Sequence, residues 1–236
     1  MAYTRQQLKQ DKFAETAKDT VSWAVEHQRT LASVSIAAVV AVVILAGGWI
    51  YYNQRDQTAS VELGAALRTY GAPLRPPNSP KTDYTSFTSE KERAEAARKA
   101  FEQIEKKYPH TRAAEVARYF AGVTALDMGD TPSAEKILKQ VADSRGKELA
   151  ALGKLALASM YRSENKDAEA IKLYQELVAH PVVTVPKSTA QLELASLYQQ
   201  KQPQEASKIY QQIQKDDPAS PAAQTASSRL SSMKGQ

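Results

Sequence analysis

The residue types that could carry out chemistry are few in this sequence and lie far apart. There are three histidines, His27, His110 and His180, and there is no cysteine. No two histidines have the i, i+4 spacing that would place two zinc ligands on one face of a helix. Without cysteine there is no thiolate metal ligand and no thiol nucleophile. We therefore expect no catalytic residue and no metal site.

Patterns for cofactors and nucleic acids are absent from the sequence as well. It contains no GxxxxGK[ST] or GxGxxG phosphate-binding loop and no GxSxG nucleophile turn. The formal net charge of +5 comes from 31 basic and 26 acidic residues spread along the chain. Nucleic-acid binding requires a clustered basic face instead. We expect no enzyme, no cofactor, no small-molecule substrate and no nucleic-acid partner.

One stretch near the N-terminus has the composition of a membrane span. No charged residue occurs between Arg29 and Arg55, and residues 31–52 as a helix would be about 33 Å long, close to the hydrocarbon thickness. Trp49, Tyr51 and Tyr52 lie together at one end, where aromatic rings favour the membrane interface. Because a long polar segment precedes the run, a cleaved signal peptide is disfavoured. We predict an uncleaved transmembrane helix over residues 30–52.

Basic residues on either side of the span bear on its orientation. Within about 20 residues of the span, Lys12, Lys18 and Arg29 precede it, whereas Arg55 and Arg68 follow it. This small excess, with two further basic residues upstream, favours a cytoplasmic N-terminal segment (1–29). That segment lacks Gly and Pro, and a helix is expected over 4–27.

A stripe of small residues runs along the predicted span. Ser33, Ala37 and Ala41 recur at four-residue spacing, a pattern through which a second transmembrane helix can pack. Alanine is also common in such spans by chance, so both interpretations stay open.

Beyond the span, a small residue followed four and seven positions later by apolar ones recurs along the chain. The starting alanines are 37, 36 and 36 residues apart, a period typical of stacked helical hairpins. The triplets are Ala97-Phe101-Ile104, Ala134-Leu138-Val141, Ala170-Tyr174-Leu177 and Ala206-Tyr210-Ile213. In the helix before each later triplet a small residue (Gly122, Ala158 or Ala195) is expected to allow close helix packing.

The ends of the array differ from its middle. Residues 61–67 resemble a first repeat helix, and its partner is expected to begin near Ser89, with Glu92 completing a capping box. Between them, residues 71–88 are proline-rich and predict a surface loop. Residues 219–233 predict a polar helix that caps the array. The repeat domain thus covers 53–236.

These residues resemble the tetratricopeptide repeat family. Ala97, Phe101, Ile104 and Pro109 match the small, aromatic, small and proline cadence of that family best, together with the unit that starts at Ala206. The early tryptophan is missing, and the second unit lacks its closing proline. The expected fold is all-α: one N-terminal transmembrane helix, then a tetratricopeptide-like α-solenoid of about four helical hairpins with a C-terminal capping helix.

A solenoid of this family binds partners in its concave groove. The groove positions expected from the repeat phase are apolar or carry a hydroxyl, unlike the Lys and Asn with which cytosolic co-chaperones hold acidic peptides. A partner helix or an unfolded segment could bind there, or neighbouring repeats could fill the groove. The expected positions are Tyr119, Val123, Leu155, Ser159, Leu192 and Ser196.

A short cytosolic segment, one span and about four such units together resemble the ancillary subunit family of the bacterial Sec translocon. The resemblance implies a single-pass inner-membrane adaptor with a periplasmic repeat domain, and translocon subunits, periplasmic chaperones or exported clients as partners. Two alternatives remain open, because repeat scaffolds host many functions. They are a scaffold for cell-envelope assembly or division, and an accessory subunit that docks a separate enzyme.

Overall fold

One long helix, α1 (Gln28–Tyr70), contains both the apolar run and the segment that resembles a first repeat helix. The computed structural model describes residues 27–76, 79 and 85–234. The helix expected over 4–27 and the middle of the proline-rich loop therefore lie outside the described residues. By its internal contacts the chain divides after Gln54 into an N-terminal unit and a unit from Arg55 to Gln236.

In the N-terminal unit the large apolar side chains of α1 face solvent. Leu45 is 73% exposed and Trp49 is 70% exposed, although such side chains are normally buried in a protein that folds in water. Among the described residues, α1 is the one helix long and apolar enough to cross a membrane. A helix of sufficient length and apolar character to cross a membrane is what the sequence predicts for the run between Arg29 and Arg55.

The second unit is built from the end of α1 and the helices that follow it. Turns of four residues or fewer separate most of these helices, so consecutive helices pack as antiparallel neighbours. The helices are α2 (Glu90–Lys107), α3 (Arg112–Asp127), α4 (Thr131–Ala142), α5 (Lys147–Ser163), α6 (Asp167–Ala179), α7 (Lys187–Lys201), α8 (Pro203–Asp216) and α9 (Pro221–Lys234).

The helices form an α-solenoid, which confirms the predicted fold class. The hairpins are α1 with α2, α3 with α4, α5 with α6, and α7 with α8, and α9 packs against α8 and α7. Within the described residues there is no β-strand, and Leu74 and Phe87 form one isolated bridge. The bridge joins the two ends of the proline-rich loop.

The four phased triplets form the core of the solenoid. Each of their residues is buried, and the side chains of Phe101, Leu138, Tyr174 and Tyr210 are fully so. Positions i, i+4 and i+7 lie on one helical face. The second helix of each hairpin therefore directs one narrow face inward, and three clusters of buried residues result.

Glycine allows two of the helix pairs to approach closely. At Gly122 a Cβ atom would lie 2.8 Å from Leu138 Cδ2, so α3 and α4 meet there as the sequence predicts. At Gly153 a Cβ atom would lie 2.8 Å from the backbone nitrogen of Ala142. This second contact, between α5 and the end of α4, has no counterpart in the predicted set of small residues.

The start of α2 differs in one bond from the expected capping box. Ser89 Oγ accepts a hydrogen bond from the Glu92 N–H at 3.1 Å, as predicted. The Glu92 carboxylate, however, accepts from the N–H of Thr88 at 2.9 Å and from its hydroxyl at 2.7 Å. The carboxylate thus bonds one residue earlier than expected, since Thr88 offers two donors and the Ser89 N–H offers one.

Candidate protein-binding groove

The first helices of the repeats carry the six residues expected to line a groove. Tyr119 and Val123 lie on α3, Leu155 and Ser159 on α5, and Leu192 and Ser196 on α7. Ser159 is exposed and the other five are partly exposed. Helices α3 and α5 are in contact, which is the packing expected of helices that line one face of a solenoid.

Neighbouring repeats cover part of the apolar surface at these positions. Tyr119 and Leu155 pack against the core cluster that Leu138, Leu157 and Tyr174 belong to, and Leu192 packs against the C-terminal cluster. Burial raises the pKa of the Tyr119 phenol. Each of these three residues therefore contributes to the core and retains some exposed surface. Binding of a partner at this surface stays a prediction.

Tyr119 belongs to an aromatic group at the N-terminal part of the array. Its ring centroid lies 5.3 Å from that of Phe120 in an edge-to-face arrangement. Phe120 stacks on Phe101 at 5.4 Å and lies 5.9 Å from Tyr70. Tyr70 donates a hydrogen bond from its hydroxyl to Asp127 Oδ2 at 3.0 Å. Phe120 thus links Tyr119 to aromatic side chains of α1 and α2.

A polar contact joins α5 to α7 beside Ser159 and Ser196. Arg162 Nη1 lies 3.0 Å from Glu193 Oε2, and Arg162 Nη2 donates to Ser196 Oγ at 2.9 Å. Sequence reasoning did not identify Arg162 or Glu193. Helical spacing could have found them, since Arg162 follows Ser159 by three residues and Glu193 precedes Ser196 by three.

The hydroxyl of Ser159 also contacts the core beneath it. Ser159 Oγ and the Tyr174 hydroxyl are 3.4 Å apart, and burial raises the pKa of the Tyr174 phenol. Next to this contact, Arg162, Asp167, Ser196 and Lys201 line a polar cavity of about 220 Å³. The candidate surface is therefore mainly apolar on α3 and at Leu155 in the middle of α5, and polar and charged where α5 meets α7.

The histidines remain separate in the structure. His110 lies in the turn between α2 and α3 with φ of +68°, and His180 follows α6. His27 precedes α1. In the described part of the chain, no group of three or more His, Cys, Asp or Glu side chains is arranged to hold a metal ion.

The three small residues of the predicted packing stripe lie on one helix. Ser33, Ala37 and Ala41 are all in α1 and are exposed. A contact of this stripe with a second helix stays a prediction.

Comparison with known proteins decides the family. The sequence profile described as "tetratricopeptide repeat-like domain" matches residues 23–180, which include the apolar run as well as the first three hairpins. The chain belongs to the tetratricopeptide repeat-like domain family. A second profile, described as "tetratricopeptide repeat", matches residues 189–220, which contain α7 and α8. No curated protein and no solved structure matches the chain.

Membership of the tetratricopeptide repeat-like family assigns the broad role. Repeats of this kind are typically non-catalytic interaction modules, and neither match indicates an enzyme family. Protein partners in general are therefore expected of this chain. The family matches do not identify the partner.

Proposed function

We propose that this protein is a non-enzymatic adaptor, tethered to the bacterial inner membrane, that presents a protein-binding surface to exported proteins. The observation that carries the proposal is the combination of an exposed apolar helix with a tetratricopeptide repeat-like array. An array of this kind supplies an extended binding surface. The apolar helix supplies an anchor of the required length.

Tethering gives the array a physical advantage. A span confines the binding surface to a thin layer at the membrane, which raises its effective concentration toward partners in the same layer. Modest affinity is then sufficient for capture. The partly exposed apolar side chains of Tyr119, Val123 and Leu155 suit an apolar partner segment. Beside them, Arg162 and Glu193 offer polar contacts.

The partners that we propose are subunits of the Sec translocon, periplasmic chaperones and exported clients. The support is the resemblance in architecture described above, together with the slight excess of basic residues before the span. In this arrangement residues 1–29 are cytoplasmic, and residues 53–236 lie in the periplasm.

Site-specific crosslinking tests the partner assignment. A photo-crosslinking amino acid at Ser159, the exposed member of the candidate groove, is expected to capture translocon subunits or exported clients in cells. The same amino acid at Lys172, which is exposed on α6, is the matched control and should capture far less. Capture of unrelated proteins alone, or equal capture at both positions, would contradict the proposal.

Membrane orientation is tested separately. A reporter enzyme that is active only in the periplasm, fused after Gln236, is expected to be active. The same reporter fused before Thr4 should be inactive. Activity of the N-terminal fusion alone would place the array in the cytoplasm and rule out the translocon assignment.

A further inference from the structure

Residues 106–112, which we call the basic corner, join α2 to α3 and carry charge of one sign. They include three basic residues, Lys106, Lys107 and Arg112, and no acidic residue. All seven residues except Tyr108 and Thr111 are exposed. At the other end of α3, residues 127–130 include two acidic residues and no basic one. The two ends of α3 therefore differ in the sign of their charge.

The part of α1 that follows the apolar run holds the backbone of the basic corner. Arg55 Nη2 donates a hydrogen bond to the Lys107 carbonyl oxygen at 2.5 Å, and the Arg55 guanidinium lies 5.8 Å from the centre of the Tyr108 ring. Asp56 Oδ1 accepts a hydrogen bond from the Ala113 N–H at 3.4 Å. The basic corner is thus bonded to the first two residues of the array unit.

Glu62 balances one of the three positive charges of the basic corner. Its Oε1 atom lies 2.6 Å from Lys107 Nζ and accepts a hydrogen bond from the Tyr108 hydroxyl at 2.7 Å. The bond from Lys107 and then the bond from Tyr108 hold the pKa of the Glu62 carboxyl below its usual value. Lys106 and Arg112, by contrast, are exposed and have no ion pair within the part of the chain that the structure describes. These two cations are the ones available to a ligand.

Chain connectivity keeps the basic corner close to the end of the apolar run, at any angle between the anchor and the array. Arg55 follows Tyr52 by three residues, so their Cα atoms are at most about 11 Å apart. Arg55 in turn bonds to the backbone of the basic corner. If Tyr52 lies at the membrane interface, as aromatic residues at the end of a span do, the long side chains of Lys106 and Arg112 are tethered within reach of lipid headgroups.

From this placement we propose that the basic corner binds the headgroups of anionic phospholipids through Lys106 and Arg112. Arginine offers phosphate a planar fork of donors, and lysine offers it a point charge. Each such cation near an anionic surface favours binding by about fivefold, and the tether supplies a high effective concentration. The proposal rests on the anchoring role of α1 in the proposed function, but it requires neither the orientation nor the protein partners given there.

Fluorescence quenching of the full-length protein in vesicles tests the lipid contact. The chain has no cysteine, so Pro109→Cys provides a single thiol for a fluorophore at an exposed position of the basic corner. The vesicles contain phosphatidylcholine, with or without phosphatidylglycerol, and a lipid that carries a nitroxide quencher on its headgroup. We expect stronger quenching with phosphatidylglycerol, and loss of this increase at high salt, which screens surface charge.

Two pairs of substitutions separate the basic corner from the charge of the whole protein. Lys106→Gln together with Arg112→Gln should abolish the increase, because loss of two cations lowers the ratio of bound to unbound corner by about tenfold or more. Lys136→Gln together with Lys172→Gln removes the same charge from exposed positions on α4 and α6. This second pair is the matched control and should leave the increase unchanged.

A second reporter position controls for general attraction to the vesicle. Pro132→Cys places the fluorophore at an exposed position beyond the far end of α3, a helix about 24 Å long. The phosphatidylglycerol-dependent increase there should be clearly smaller than at Pro109→Cys. If Pro109→Cys does not fold, as judged by circular dichroism, Gln103→Cys carries the fluorophore instead, since Gln103 is exposed one turn earlier on α2.

Three results would overturn the proposal. They are quenching that does not depend on phosphatidylglycerol, an equal effect of the two pairs of substitutions, and an equal increase at the two reporter positions. Alkaline extraction of the vesicles distinguishes this failure from failure of the anchor. Protein that resists extraction but shows no lipid-dependent quenching refutes the lipid contact alone, whereas protein that is extracted from both kinds of vesicle refutes the anchor and this proposal together.

Discussion

Gly153 is the position at which a single added methyl group should matter most. A Cβ atom there would lie 2.8 Å from the Ala142 backbone nitrogen and 3.1 Å from the Val141 carbonyl carbon. Backbone atoms cannot rotate away as a side chain can, so α4 and α5 would have to separate. We expect Gly153→Ala to lower the free energy of unfolding by about 1–3 kcal/mol, measured by urea denaturation.

Gly64→Ala is the control for that substitution. The nearest atom to a Cβ atom at Gly64 is Arg68 Nη1 at 3.7 Å, an ordinary contact. Alanine also favours the helix over glycine by about 0.5–1 kcal/mol, so this variant should be as stable as the native chain or more stable. Equal destabilisation by the two substitutions would show that steric contact at Gly153 is not the cause.

At the scale of helices, side-chain bonds join each hairpin to the next. Tyr161 on α5 donates to Glu135 Oε1 on α4 at 2.8 Å, and Lys139 pairs with the same oxygen at 2.7 Å. The bond from Lys139 and then the bond from Tyr161 hold the pKa of the Glu135 carboxyl below its usual value. A carboxyl with a depressed pKa stabilises the fold above its unfolded-state pKa, and this contribution is lost as the pH falls through the folded-state pKa.

Glu135→Gln should therefore destabilise the protein at pH 7, by at most about 1 kcal/mol because the pair is partly exposed. The difference from the native chain should shrink as the pH falls below the unfolded-state pKa and vanish below the folded-state pKa. Urea denaturation at a series of pH values measures it. Glu169→Gln, at a carboxylate for which the described residues provide no ion pair, is the control and should change the free energy of unfolding less at pH 7.

Helix α9 covers the open end of the array. Its Ala226 is fully buried against Ala195, Tyr210 and Ile213, and its outer face is polar. Truncation after Ala219 should expose this cluster, because a solenoid requires a terminal cap. We expect faster hydrogen exchange in α7 and α8 and unchanged exchange in α2 and α3. An equal increase throughout the array would contradict nearest-neighbour stabilisation.

At the scale of the whole molecule, the proposed anchor and the proposed binding surface belong to separate parts of the chain. Residues from Arg55 onward make most of their contacts among themselves, so residues 55–236 should fold alone, with helical circular dichroism and a cooperative unfolding transition. If tethering provides effective concentration, partner capture at Ser159 by this soluble fragment should fall by about 10²-fold or more. Undiminished capture would show that the anchor is dispensable for binding.

Several features of this protein follow from the sequence alone because they depend on local composition and periodicity. The charge-free run between Arg29 and Arg55 defines an apolar helix whatever the rest of the chain does. Spacings of four and seven residues place Ala97, Phe101 and Ile104 on one helical face before any packing is known. The all-α fold and the solenoid could therefore be predicted, as could the helices that carry the candidate groove.

Tertiary structure alone decided which distant residues meet. Arg162 bonds to Glu193 across 31 residues, and Thr184 bonds to Glu148 across 36. The tight contact of Gly153 with Ala142 likewise depends on how α4 ends against α5. Helical periodicity fixes the face on which a residue lies, but not the residue opposite it. That partner depends on the angle and offset at which successive hairpins stack.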